Sequence, residues 1–140
     1  MSELKEIFCA VVPMIFNEKK QLLLIKSHKW QDKWICPGGK VLPGEKLEDA
    51  VRRETLEELG IKLNEVIYWH MNEHINPPTF FKPAHFLSFV FICKTTDTNV
   101  KLNSEAQEFQ WISPRQALLL DLDPIAKNTI EIFLRDERYD

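Results

Sequence analysis

Apolar residues in this chain gather into short runs set apart by polar turns. Phe8 to Phe16 and Gln21 to Ser27 flank the polar stretch "NEKK" and predict two strands of a buried hairpin. Trp34 to Pro37 predicts a third short strand, ended by Pro37-Gly38-Gly39. Leu47 to Leu59, rich in Leu, Glu, Ala and Arg, predicts the clearest helix, with Gly60 where a left-handed cap belongs. Asn64 to Ile75 and His85 to Thr96 predict two long strands, the second dense in Phe, Val and Ile. Between them "NPPTFFKP", residues 76–83, reads as a proline-punctuated loop. Phe109 to Ile112 predicts a short strand, Ser113-Pro114 opens a helix, and Pro124 starts a last one running to about Arg135. No repeat is visible, and strands lying before, between and after helices predict an α/β fold with a mixed sheet flanked by helices.

The helix over Leu47 to Leu59 carries a conflict. At about 100° per residue, Leu47, Ala50 and Val51 share the face that meets the core. The same face continues into Glu54, Glu57 and Glu58. Glu54 and Glu58 are adjacent like charges, and they crowd the end of the helix where the backbone dipole is already negative. A hard divalent cation resolves this, since Mg²⁺ or Mn²⁺ prefers carboxylate oxygen, water and substrate phosphate. A plainly solvated glutamate-rich end is the other reading. The loop upstream, Pro37-Gly38-Gly39 and Pro43-Gly44-Glu45, favours the cation, because two of only four glycines sit together where backbone approaches something closely.

Composition narrows the class. The 140 residues are 44% hydrophobic and 28% charged, which suits one globular domain spanning 1–140. With a net charge of −3, no basic face advertises long nucleic acid, though a small anion can bind through cations. "MSELKEIF", Met1 to Phe8, lacks the basic start and apolar core of a signal peptide, and the apolar run after it is too short for a bilayer and contains Pro13. Three widely spaced cysteines, Cys9, Cys36 and Cys93, read as reduced thiols, so the expected compartment is cytoplasmic, with no membrane partner.

Gly39 to Ile61, "GKVLPGEKLEDAVRRETLEELGI", resembles the Nudix box, G-x5-E-x7-R-E-U-x-E-E-x-G-U with U aliphatic. Gly39, Glu45, Arg53, Glu54, Glu57, Glu58, Gly60 and Ile61 fall in register, while Thr55 stands at an aliphatic position. Trp34 to Gly39, "WICPGG", is also similar to the family's approach to the box. The resemblance implies a MutT-like α/β/α sandwich with a mixed sheet and a loop–helix–loop catalytic motif. It implies a hydrolase acting on acid anhydrides that cleaves a diphosphate bond in a nucleotide. Mg²⁺, or Mn²⁺, would sit on Glu54, Glu57 and Glu58 with a Gly38 or Gly39 carbonyl. Arg53 would orient Glu57, and Glu45 would tie the loop to the helix. The proton acceptor is Glu57 or Glu54, or a distal glutamate, for which Glu105 and Glu108 lie in the right neighbourhood.

Substrate choice must come from outside the box. Phe80, Phe81 and Lys82 stack a base and touch phosphate if exposed, and merely anchor their loop if buried. His28 is a candidate for phosphate contact. Trp30, Trp34, Trp69 and Trp111 read as core, with Trp34 the best substrate platform among them. His70 and His74 share a face if their segment is a strand, but no third metal ligand is evident. Pro77, placed 16 residues after Ile61, is similar to a proline of ADP-ribose-cleaving members. The length resembles MutT-type enzymes that convert a (deoxy)nucleoside triphosphate, or a modified one, to monophosphate and pyrophosphate. ADP-ribose or another nucleoside-diphosphate sugar is the alternative, and a non-catalytic nucleotide-sensing module is the alternative of another class. Homodimers are frequent among similar proteins.

Overall fold

In the computed structural model, residues 4–139 are described; Met1 to Glu3, part of the segment read for targeting, lie outside them. Strand β1 covers Phe8–Phe16 and β2 Leu22–Ser27. β3 is Lys33–Ile35 and β4 Gly39–Lys40, followed by helix α1 at Leu47–Leu59. β5 (Glu65–Ile75) and β6 (His85–Lys94) form a long antiparallel pair with one register shift between Tyr68 and His70. β7 (Glu108–Ile112), the short α2 (Pro114–Ala117) and α3 (Pro124–Arg135) complete the elements named here.

The sheet is mixed and sandwiched between helices. Its order is β3-β2-β1-β6-β5, with β4 added to β1 and β7 to β2. Among the described strands β1 and β6 form the one parallel pair, in register from Phe8↔Phe86 to Phe16↔Lys94, with an isolated parallel bridge from Trp34 to Leu122. Alternate residues of the apolar runs serve opposite layers. Met14, Phe16, Leu22, Leu24, Val90 and Ile92 meet α3, while Val11, Ile15, Leu23, Ile25, Phe91 and Cys93 meet α1. Burial on both faces explains why these strands read as unbroken apolar runs.

The hairpin expectation needs correction. β1 and β2 pair only at Phe16↔Leu22 beside the turn. Beyond it β1 takes β6 and β4 as partners while β2 takes β3 and β7, and each strand finds its hydrogen bonds elsewhere. The third strand also ends earlier than expected, and the two glycines enter β4 and its approach.

α1 begins without a side-chain cap and ends on Gly60 at φ 68°, a left-handed residue. α3 is capped by Asp123, whose carboxylate accepts from the Ile125 N–H, with Pro124 at the first helical position. No helix among the described residues is long and apolar enough to cross a membrane.

Candidate active site

The glycine-rich approach and α1 are locked together by close contact. A Cβ on Gly38 would lie 2.6 Å from the Val11 carbonyl oxygen, and one on Gly39 would collide with the Glu54 carboxylate. At Gly38 the obstacle is backbone and only hydrogen fits; at Gly39 a side chain would displace the Glu54 carboxylate.

Arg53 organises the acids around that contact. Its Nε and one terminal nitrogen grip both oxygens of Glu45, at 2.7 and 2.9 Å. The other terminal nitrogen donates to Glu54 at 2.8 Å and Glu57 at 3.2 Å, and a bond to the Lys40 carbonyl ties in β4. A lysine has no planar fork with which to hold so many groups. The Arg53 hydrogen bonds, and then the Leu42 N–H, hold Glu45 down at about 2.

Glu58 is in a different position. It is 5% exposed, and its Oε1 has no hydrogen-bond partner. Burial pushes its carboxyl up to about 8, reinforced by Glu105 and Glu54 and opposed by the Gly38 amide. Glu54 is also raised, first by burial, against the pull of Arg53. Glu105 reaches this group from the loop before β7 and carries Lys29 at 3.3 Å.

These donors fit a hard cation. Three oxygen-bearing side chains, one of them buried and unpartnered, face one another without a positive charge of their own large enough to neutralise all. Among the described residues no three His, Cys, Asp or Glu side chains form a ready-made cage. That is compatible with Mg²⁺, which takes one or two carboxylates, waters and substrate phosphate rather than an all-protein shell.

Beside the acids opens a cavity of about 350 Å³. Its mouth is lined by Gly38, Gly39, Lys40, Glu54, Lys29 and Glu105. Its walls are aromatic: Trp30 and Phe80 lie 4.6 Å apart, with Phe86 6.0 Å from Phe80 and Phe8 stacked on Phe86 at 5.1 Å. Its polar end holds His74, Ser88 and Asp123. His74 Nε2 bonds the Ser88 hydroxyl at 3.1 Å, and burial lowers its pKa. Asp123 is 1% exposed, with one oxygen accepting from the Thr79 hydroxyl and the other from Ile125 N–H.

The sequence-derived candidates divide. Glu54, Glu57, Glu58, Arg53, Gly38 and Gly39 come together around α1, and Phe80 lines the cavity. Phe81 is 56% exposed, edge-on to Phe80, with Lys82 over its outer face at 5.4 Å. His28 is exposed and paired with Asp32. None of these three lines the cavity. Glu108 is turned to Lys26 at 3.3 Å, so of the two distal glutamates it is Glu105 that joins the acids. Trp34 is corrected to core: it packs among Met14, Leu24 and Ile130, because β3 carries it into the α3 layer. Trp30, read as core, instead walls the cavity; its signal was an aromatic set among His28, Lys29 and Gln31 in a polar turn. His70 bonds Asn72 and His74 bonds Ser88, so the two do not form a metal pair. Cys36 lines the cavity, but burial pushes its thiol up to about 12, and it acts as a small apolar residue. Lys29, Asp123 and Thr79 carried no signal of their own, and His74 was weighed only as a partner of His70.

Comparison with known proteins agrees with this geometry. The chain is 30% identical over 131 residues to a nucleoside triphosphatase, NudI, of Escherichia coli, covering 87% of this chain and 93% of that one. It is similar to the MutT protein of Methanosarcina mazei Go1, at 27% identity and a TM-score of 0.72 over 94% of this chain and 95% of that one. The NUDIX domain of Shewanella oneidensis NrtR, complexed with ADP ribose, shares the fold at 16% identity and a TM-score of 0.79, over 97% of this chain and 90% of that one. The NUDIX domain family matches residues 8–133, and the chain accordingly belongs to that family, as a hydrolase acting on pyrophosphate bonds.

Proposed function

We propose that the protein hydrolyses a nucleoside triphosphate, or a modified one, to the monophosphate and pyrophosphate with Mg²⁺ or Mn²⁺. The observation that carries this reading is the unpartnered, buried Glu58 carboxylate beside Glu54 and Glu105, two acids that line an aromatic-walled cavity. Glu54, Glu57 and Glu58, with a Gly38 or Gly39 carbonyl, would hold the cation, which when bound would supply charge for the diphosphate and an acidified water.

The chain's own groups do the rest. Arg53 fixes the carboxylates of Glu54 and Glu57 before substrate arrives, so little reorganisation remains. Glu57, exposed and held by one 3.2 Å bond, is the proton acceptor we assign, with Glu105 the distal alternative. Trp30 and Phe80 stack the base, and Asp123, Ser88 and His74 face its edge. Lys29 and Lys40 flank the phosphates at the mouth. The similarity to NudI supports a triphosphate substrate. Free cysteines at all three positions suit a reducing, cytoplasmic setting.

The test is nucleoside monophosphate release over a panel of nucleoside triphosphates, ADP-ribose and nucleotide sugars, with and without Mg²⁺, since cleavage of the diphosphate bond in any of them yields that product. Triphosphates should be cleaved best, and Glu57→Gln should lose about 10²-fold or more in kcat. Preference for ADP-ribose would reassign the substrate. Equal turnover by wild type and Glu57→Gln would remove the catalytic assignment, and binding without turnover would indicate a sensor.

A further inference from the structure

Thr55 occupies the position of the box where an aliphatic side chain is expected. It is 1% exposed, and its Oγ1 has no hydrogen-bond partner. A threonine inside a helix ordinarily bonds the carbonyl one turn back, so an unbonded buried hydroxyl is unusual. Glu58 lies three residues on, buried on the same helix, and its Oε1 is unpartnered too. Residues so spaced have Cβ atoms about 5–6 Å apart. Helical side chains lean toward the N-terminus, so Glu58 reaches back over the turn that carries Thr55. A water bridging a hydroxyl and a carboxylate oxygen so placed would satisfy both unpartnered atoms at once. Valine would fill the same volume without burying a polar atom, so packing alone gives the hydroxyl nothing to do.

We infer that Thr55 is a positioning residue: through one buried water its hydroxyl holds the Glu58 carboxylate in the orientation that receives a divalent cation. The inference rests on the reading of Glu58 as a cation ligand. The hydroxyl donates to the water and the water donates to Oε1, which keeps a lone pair for the cation beside Glu105 and Glu54, while the Gly38 amide holds the carboxylate from its other side.

Thr55→Val and Thr55→Ser in the whole chain test it, read by Mn²⁺ titration without nucleotide and by thermal unfolding with and without Mg²⁺. Thr55→Val should weaken Mn²⁺ binding about tenfold and shrink the Mg²⁺-induced rise in Tm, while its metal-free Tm matches or exceeds wild type. Thr55→Ser, which keeps the hydroxyl, should bind Mn²⁺ like wild type. If Thr55→Val is poorly folded, Thr55→Ala against Thr55→Ser isolates the hydroxyl without the extra methyl. Mn²⁺ affinities within about twofold across hydroxyl-bearing and hydroxyl-lacking variants overturn the inference. Wild type that binds no Mn²⁺ overturns it together with the Glu58 reading. Wild type that binds Mn²⁺ but cleaves no nucleotide overturns the proposed reaction alone, and the affinities still decide this inference.

Discussion

The site holds two buried carboxylates, Asp123 in the wall of the cavity and Glu58 among the acids beside it, and their surroundings differ in kind. Asp123 has both oxygens engaged, one by the Thr79 hydroxyl and one by the Ile125 N–H at a helix start. Glu58 has an unpartnered oxygen and a second carboxylate, Glu105, for a neighbour. A satisfied buried acid is a structural fixture and a fixed acceptor, whereas an unsatisfied one near a like charge is poised for a counter-ion. The contrast separates two kinds of buried acid: Asp123 is satisfied by the protein alone, whereas Glu58 is not.

The sharpest way to break this contrast is Glu58→Gln. It replaces a buried, unpartnered carboxyl whose ionised form burial disfavours, so the metal-free protein should unfold at the same or a higher temperature. At the same time kcat should fall about 10²-fold or more, and the Mg²⁺-dependent gain in Tm should vanish. Calorimetric scans with and without Mg²⁺, beside steady-state rates, decide it; an intact Mg²⁺ gain would mean that Glu58 is not a ligand.

A smaller effect sharpens the aromatic side. Trp30→Ala removes one stacking wall and leaves the acids in place, so KM should rise about tenfold with kcat nearly unchanged, as expected for the loss of one base-stacking contact. A fall in kcat at constant KM would contradict the division of labour between the aromatic walls and the acids.

The mildest expectation concerns pH. Burial depresses the His74 pKa below its ordinary 6.5, so below that value the unfolded chain binds a proton that the native state resists. His74 therefore contributes a loss of stability as pH falls through 6.5 toward the native value. Wild type minus His74→Asn, in Tm between pH 7.5 and 5, should show that slope. Parallel curves would mean that the His74 ring is not held neutral.

How legible the molecule was from its residues follows the same division. α1 was readable to its last residue, because helix period, Gly60 and the charge conflict all lie within one contiguous stretch. The box and Arg53 were readable for the same reason, since partners at (i, i+4) meet by helix geometry. Even the eight-residue reach from Arg53 to Glu45 stays within one loop and helix. Strand positions were legible from apolar runs, but their pairing was not: nothing local says that β1 prefers β6 to β2.

What the sequence determined by itself is thus the helices and the long strands, the family, and the acids gathered on one helix. Tertiary structure alone decided that Glu105 rather than Glu108 joins those acids, that Trp30 rather than Trp34 walls the cavity, and that Asp123 meets Thr79 across 44 residues. The physical reason is range. Local spacing is fixed by covalent geometry and hydrogen-bond period, whereas contacts between distant segments depend on which strands pair and which face each residue presents, and a shift of one residue reverses that face.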